Sequence, residues 1–177
     1  MTRKNTTSIP FVNLHAHSVA GSIFDAIGFP QDHMDFAYDN GADALALTDH
    51  GNMNGLAYQV LHAKRMSEEG REFKPIYGVE AYFVPSLSQW RTEYAKVMED
   101  KKKARESKRG LQSGATVEDS SESKRAMNNV LKRRSHLILL AQNQKGLNNI
   151  FKLISESYKE ENFYRYPRID YKMLREH

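Results

Sequence analysis

The chain has 177 residues, a formal net charge of +4 and no cysteine. Its length favours one domain, and 40% hydrophobic residues are enough to bury a core. The lack of cysteine excludes disulfides and thiolate metal sites, so a metal site must use histidine and carboxylate ligands. No apolar run approaches the ~18 residues of a membrane span, and no secretory signal precedes the first apolar segment. These features predict a cytoplasmic protein without a membrane partner.

The first half of the chain alternates between predicted strands and helices. A loop containing Gly21 and Gly28 follows the first strand, Pro30 is typical of a first helical turn, and Gly70 ends the second helix. In chain order the predicted elements are a strand at 11–15, a helix from Pro30 to Asn40, a strand at 44–48, a helix at 55–69 and a strand at 74–84.

The segment 86–134 differs from the rest of the chain in composition. It holds thirteen Lys/Arg against seven Asp/Glu, a net charge of +6, and few branched aliphatic residues. A segment of this kind has little apolar surface to bury. We therefore predict a charged, mobile insertion, partly helical at 90–105, between two parts of one domain at 9–85 and 135–177. We expect this insertion to be the most mobile and least buried part of the chain.

Regular structure is predicted to resume after the insertion. Residues 136–141 have the pattern of a buried strand, and 145–158 that of a helix with one apolar face. Strands that alternate with helices indicate parallel β-α-β units, so the predicted fold class is α/β. Four such strands are too few for a closed eight-stranded barrel of ~250 residues. The chain is either a small open sheet or the front part of a larger fold.

Side chains that can bind metal recur at the ends of predicted strands. His15 and His17 are two apart in an extended segment, so both imidazoles point to one side. His50 follows the second strand, at the carboxyl edge where sites collect in parallel α/β folds. Glu80 interrupts an apolar strand, and a buried carboxylate needs a partner such as a metal cation. His136 opens the fourth strand.

Each of these residues also has a plain structural interpretation. Histidines at strand ends are often surface residues, Glu80 could face water from an edge strand, and Asp25 could form a turn in its loop. Asp49 could cap a loop or hold the neighbouring imidazoles. The coincidence of nitrogen and oxygen ligands on four strands and one loop favours a metal site. His33 and His62 fall in helices without partners at ligand spacing and are predicted to be ordinary surface or boundary residues.

Six stretches of the sequence carry a family resemblance. They are Phe11–Ser18, Ala44–Asn52, Lys74–Tyr82, Ser135–Ala141, Gly146–Asn149 and Phe163–Asp170. The first three resemble the opening motifs of the PHP (polymerase and histidinol phosphatase) domain at the N-terminus of bacterial C-family DNA polymerase III alpha subunits. The last three resemble the polymerase version of that domain and not the small phosphatases. The resemblance covers nearly all of the chain outside the insertion.

This resemblance implies a partial (βα)7 PHP-type barrel, with parallel strands, flanking helices and its last strands missing. A metal cluster lies at the carboxyl rim of such a barrel and binds divalent ions, here Zn, Mn or Mg. The matching ligand positions in this chain are His15, His17, Asp25, His50, Glu80 and His136. The remaining ligands of the family, a cysteine and an Asp-x-His pair, are expected beyond His177, as are the aspartates of the polymerase palm.

The resemblance also implies a longer parent protein that performs template-directed DNA synthesis, with DNA and other replisome subunits as partners. The domain itself is expected to be a metal-dependent 3′–5′ exonuclease or a scaffold for proofreading. A stand-alone phosphoesterase acting on a small phosphate ester is the alternative, and a non-catalytic module that binds DNA or a protein through the insertion is a third. Residues 1–177 alone are expected to show weak or no exonuclease activity and no nucleotide incorporation.

Overall fold

The computed structural model describes residues 11–110 and 129–177. The helices in these residues are α1 (Pro30–Asp39), α2 (Leu56–Glu68), α3 (Leu87–Gly110), α4 (Gln144–Ser157) and α5 (Tyr171–Glu176), with a short 3-10 helix at Glu160–Asn162. The strands are β1 (Ala44–Leu47), β2 (Lys74–Phe83), β3 (Ser135–Leu140), β4 (Phe163–Tyr164) and β5 (Tyr166–Ile169). Within the described residues, no helix is both long enough and apolar enough to cross a membrane.

The central strand of the sheet is β2. It pairs in parallel with β1, from Ala44 opposite Lys74 onward, and in parallel with β5 at its other end. The short strand β4 forms an antiparallel hairpin with β5. The predicted α/β class, with parallel pairing and flanking helices, is confirmed.

The strand β3 runs antiparallel to β2, which differs from the all-parallel expectation. Phe83 at the end of β2 lies opposite Ser135 at the start of β3. The excursion through α3 therefore returns the chain to the end of the sheet that it left, and a return to the same end gives antiparallel pairing. As a result, the first residues of β3 lie beside the carboxyl end of β2.

The strand predicted at 11–15 is reduced to a single isolated bridge between Asn13 and Leu45. The carbonyl of Asn13 accepts a hydrogen bond from the Ala46 N–H at 2.9 Å, so the segment still runs alongside β1. Phe11 and Leu14 are exposed, and the segment therefore gains little from burial that would extend the pairing. It is an extended edge that delivers the residues after it to the carboxyl end of β1.

Residues of β2 alternate between the two sides of the sheet. Val79 and Ala81 belong to a hydrophobic core that includes Ile150 and Leu153 of α4. Because successive strand residues point in opposite directions, Glu80 points away from this core. A second, smaller core joins α1, α2 and β1 through Met34, Leu45, Leu47 and Met66.

The two ends of the segment 86–134 are packed against the domain. The helix predicted at 90–105 is confirmed within α3, but Leu87, Trp90 and Leu131 are buried, against the expectation of little burial. The Trp90 indole donates to the Val130 carbonyl at 3.1 Å, so the outgoing and returning chain contact each other. Residues 111–128 lie outside the described residues, and the boundaries and mobility of the insertion stay a prediction.

Candidate metal centre

A buried carboxylate, that of Glu80, lies at the centre of the candidate site. Glu80 is 1% exposed. The His15 and His17 Nε2 atoms lie 2.7 Å and 2.6 Å from its Oε2 atom. His136 Nδ1 forms an ion pair with the other oxygen, and His50 Nδ1 lies 3.5 Å from Oε2. The predicted convergence of His15, His17, Glu80 and His136 is confirmed by these contacts. Their role as metal ligands stays a prediction.

Backbone pairing places these side chains together. An isolated parallel bridge joins His50 to Glu80, and the Gly51 N–H donates to the Glu80 carbonyl at 2.9 Å. This bridge continues the β1–β2 pairing and sets His50 beside the middle of β2. His136 joins from the opposite direction, because it lies across from Tyr82 in the antiparallel pair. A parallel β3 would have left the start of that strand at the far end of the sheet.

Asp25 extends the cluster toward the surface. Its carboxylate lies 2.8 Å from His50 Nε2, and its side chain is 55% exposed. Three overlapping groups, each with ligand atoms within 4.8 Å of one another, could hold a metal ion. They are His15, His17 and Glu80; His17, Asp25 and His50; and His50, Glu80 and His136. The six residues singled out from the sequence thus lie in one continuous cluster.

The charges within the cluster keep Glu80 ionised. Burial alone raises the pKa of Glu80, but the hydrogen bond from His15 and the nearby His50, His17 and His136 together hold it below its usual value. The burial penalty is outweighed because several groups on different elements favour the charged form. At neutral pH the carboxylate is therefore available as an anionic ligand.

The hydrogen-bonding pattern of the cluster fits a divalent cation. His50 Nδ1 is buried and has no hydrogen-bond partner among the described residues. His15 Nε2 and His17 Nε2 lie 3.0 Å apart, both within reach of the same Glu80 oxygen. Imidazole nitrogens and carboxylate oxygens are the ligands that zinc and manganese take in proteins. A cation would take up ring-nitrogen lone pairs, which an ionised carboxylate cannot do because it is itself only an acceptor. The residues present therefore fit such an ion.

Asp49 contacts the loop that follows His17, and its side chain does not contact an imidazole in the described structure. Its carboxylate accepts hydrogen bonds from the Ser18 N–H at 2.6 Å, the Ser18 hydroxyl at 2.8 Å and the Ser22 hydroxyl at 3.0 Å. The Ser22 hydroxyl also accepts the His50 N–H at 3.0 Å. Asp49 therefore ties the loop after His17 to the segment that carries His50, in the role of a loop anchor. No signal in the sequence singles out Ser18 or Ser22.

Tyr82 forms an aromatic wall on one side of the cluster. Its ring stacks parallel to His50 at 5.9 Å and meets His136 edge-on at 5.3 Å. Burial raises the pKa of Tyr82, although the charge of Arg134 opposes this shift. The hydroxyl therefore stays protonated at neutral pH. Sequence reasoning overlooked Tyr82, although its position two residues after Glu80 on one strand places both on the same side.

The two histidines predicted to be ordinary have different surroundings. His62 is buried, and its Nε2 lies 2.8 Å from Asp35, well outside the cluster. His33 lines a cavity of about 410 Å³ that also touches His15, His17 and Asp25. Its Nε2 is buried without a hydrogen-bond partner among the described residues. His33 thus borders the entrance of the centre, although its spacing in the sequence gave no hint of this.

Comparison with known proteins places these features in a family. The PHP domain matches residues 13–177. DNA polymerase III alpha subunits from Deinococcus radiodurans, Treponema pallidum and Aquifex aeolicus are 31%, 32% and 34% identical over 171, 168 and 164 residues. These alignments cover 94%, 94% and 93% of this chain but only 10%, 11% and 11% of the relatives. The chain therefore spans about a tenth of the length of the curated relatives it matches.

A solved structure is also similar over a smaller part. An amidohydrolase from Chromobacterium violaceum has a TM-score of 0.34 and 30% identity, over 41% of this chain and 23% of its own. A likeness of that size does not bear on the assignment. The match over residues 13–177 does, and it agrees with the α/β sheet and the histidine–carboxylate cluster at its carboxyl edge. The chain belongs to the PHP domain family.

Proposed function

We propose that this chain is the N-terminal metal-binding PHP domain of a replicative DNA polymerase III alpha subunit, and that its centre hydrolyses phosphodiester bonds as a 3′–5′ exonuclease. The observation that carries the proposal is the buried Glu80 carboxylate, met by the imidazoles of His15 and His17 from one segment and of His136 from another. A structural salt bridge needs one partner for such a carboxylate. Several converging imidazoles are the ligand set of a divalent ion.

The six clustered residues would hold one or more ions, with zinc, manganese or magnesium as the candidates. A bound ion would activate a water molecule and stabilise the charge that develops on the phosphate. Glu80 supplies the central anionic ligand, since it stays ionised despite burial. Asp25 and His50 line the more exposed side of the cluster through their 2.8 Å contact, and the Tyr82 ring stacks on His50.

The proposal extends to the whole protein by similarity with the relatives. They are DNA polymerase III alpha subunits. The parent of this chain would carry out template-directed DNA synthesis in the cytoplasm, with DNA and other replisome subunits as partners. Within that protein the domain would remove misincorporated nucleotides or serve as the scaffold for proofreading.

Metal binding by the 177-residue chain is the first test. Calorimetric titration of metal-free protein with Zn²⁺ and Mn²⁺ should show binding that the double variant His15→Ala/His17→Ala weakens at least tenfold. The variant His177→Asn is the matched control, because it removes a histidine that contacts Glu156 far from the cluster. Equal affinity in all three proteins would refute the metal centre.

Hydrolysis is the second test. Digestion of single-stranded DNA by the metal-loaded chain is expected to be weak, and to disappear in His15→Ala/His17→Ala. A small phosphate ester such as p-nitrophenyl phosphate should be cleaved no faster than DNA. Faster cleavage of the small ester, lost in the same variant, would favour a stand-alone phosphoesterase. Digestion that is unchanged in the variant would come from a contaminating nuclease and would leave this chain without exonuclease activity.

A further inference from the structure

Three arginines lie close together where the chain returns from the segment after α3, and their partners differ. Arg133 forms an ion pair with Glu93 at 2.8 Å. Arg168 is fully buried and donates to four backbone carbonyls. Arg134 donates only one hydrogen bond among the described residues, from Nη1 to the Lys132 carbonyl at 3.2 Å. It pairs with no carboxylate in the part of the chain that the structure describes.

The guanidinium of Arg134 lies over two tyrosine rings beside the candidate metal centre. Its central carbon lies 3.8 Å from the ring centroid of Tyr166 and 5.4 Å from that of Tyr82. Tyr82 in turn contacts both His50 and His136. The guanidinium and two imidazoles of the cluster therefore share Tyr82 as a neighbour. Stacking on an aromatic face restrains a guanidinium while leaving the donors at its edge available.

The backbone that carries Arg134 is fixed on both sides. On the N-terminal side of Arg134, the Arg168 side chain donates to the carbonyls of Leu131 and Arg133. The pairing of β3 with β2 begins at Ser135, which immediately follows Arg134. The side chain is therefore preorganised, and a ligand need not order the chain in order to use it. Its Nε atom is buried without any hydrogen-bond partner among the described residues, so one donor of the guanidinium is left unsatisfied.

We propose that Arg134 binds a phosphoryl oxygen of the phosphate ester that occupies the metal centre. The inference rests on the proposed function, since it takes the neighbouring cluster to be a phosphoesterase centre. A guanidinium matches the geometry of a phosphate with two parallel donors, and these charge-assisted bonds are strong. Arg134 would then hold the substrate phosphate against ions bound by His50 and His136. If Arg134 only stacked on the tyrosines, its role would be structural and would need no anion. The test must therefore distinguish this structural role from phosphate binding.

The test measures phosphate affinity and metal affinity separately in the 177-residue chain. Metal-loaded protein is titrated with inorganic phosphate, and metal-free protein with Zn²⁺, by calorimetry. In Arg134→Met, phosphate affinity should fall roughly tenfold or more, while Zn²⁺ affinity should stay within about twofold. Thymidine 5′-monophosphate should show the same loss, because the shared ligand is the phosphoryl group.

Arg133→Met is the matched control, since it removes the same charge one residue away from a side chain already paired with Glu93. It should leave phosphate affinity within about twofold of the original. Arg134→Lys keeps the charge without the two-pronged geometry, and it should weaken phosphate binding several-fold even if Arg134→Met folds poorly. Wild-type phosphate affinity in both Arg134 variants, or an equal loss in Arg133→Met, would overturn the inference while leaving the metal centre standing. A wild-type chain that binds no metal would instead overturn the proposed function, and the inference with it.

Discussion

Two buried charges of opposite sign lie on the same sheet and are neutralised in different ways. Glu80 on β2 is 1% exposed and meets imidazoles, which can give up protons or bind metal. Arg168 on β5 is 0% exposed and meets backbone carbonyls, which have no proton to give up and already accept hydrogen bonds from it. The ring of Trp90 covers Arg168 at 4.3 Å. The first arrangement leaves His50 Nδ1 without a hydrogen-bond partner among the described residues, and the second gives the guanidinium four hydrogen bonds.

The difference separates a structural charge, that of Arg168, from the candidate ligand Glu80. Burial and the nearby like charge of Arg134 lower the pKa of Arg168 to about 10, so the guanidinium stays charged at neutral pH. Its four carbonyl partners come from Leu131 and Arg133 on one side and Tyr164 and Tyr166 on the other. Arg168 therefore joins the returning chain to the β4–β5 hairpin, a structural task. Glu80 is surrounded by imidazoles, which can exchange protons or bind a metal, as expected of a binding site.

The largest effect on stability is expected when the Arg168 guanidinium is removed. Arg168→Met would leave four carbonyls without their donor and should destabilise the fold by about 3–5 kcal/mol. Arg133→Met removes a charge whose side chain is 46% exposed, and it should cost at most about 1 kcal/mol. Urea unfolding of both variants provides the measurement. Similar midpoints for the two would mean that Arg168 does not join these segments.

A bound metal should stabilise the folded protein through the centre at Glu80, and it should not change the contacts of Arg168. Zn²⁺ or Mn²⁺ at a hundredfold excess over its Kd should add about 2.7 kcal/mol, or a rise in Tm of roughly 5–10 °C. Glu80→Gln keeps the shape but loses the anionic ligand, so thermal melts of this variant should show little response to metal. A full metal response in Glu80→Gln would place the bound ion somewhere else.

The support behind the centre should have a smaller effect. Ser22→Ala removes the hydroxyl that links the Asp49 carboxylate to the His50 N–H. Metal affinity should fall roughly tenfold, as is typical for groups that orient ligands. Ser155→Ala is the control, because among the described residues its hydroxyl bonds only to the Phe151 carbonyl within α4. Calorimetric affinities that are equal for both variants would show that the loop anchor does not position the ligands.

The smallest effect is expected at a histidine–carboxylate pair outside the centre. Burial raises the pKa of Asp35, but hydrogen bonds from Arg71 and His62 outweigh it and lower the pKa overall. The stabilisation from a lowered pKa is present above the unfolded value of about 3.9 and is lost as the pH falls through the folded value. Asp35→Asn should therefore cost up to about 1 kcal/mol at pH 7, since the side chain is 41% exposed.

This cost should shrink toward zero below about pH 4, which urea unfolding at several pH values can follow. Metal should not change it, because the pair lies outside the cluster. A cost that is constant across the acid range would show that the carboxylate charge is not what stabilises this pair. A cost that depends on metal would join the pair to the centre and weaken the contrast drawn between structural and functional charges.

The amino-acid sequence by itself determined the local elements and the identity of the clustered residues. Pro30 begins α1, and Asn143 caps α4 by accepting the Gly146 N–H at 2.9 Å, so these boundaries follow from short-range chemistry. The spacing of His15 and His17, and the position of His50 after an apolar run, predicted their common edge. Helix ends and strand ends can be predicted from the sequence, because the residues that decide them are close together in the chain.

The tertiary structure alone decided the direction of β3, the burial of Glu80 and the partners of Asp49 and Arg168. The sequence left open whether Glu80 faces water, because one strand does not reveal what covers it. It could not show that β3 reverses and brings His136 to the centre, since strand direction depends on where a long excursion returns. The structural role of Arg168 could not be predicted from the sequence either. Its partners are backbone carbonyls, which every residue possesses, and only the folded chain selects which of them a side chain meets.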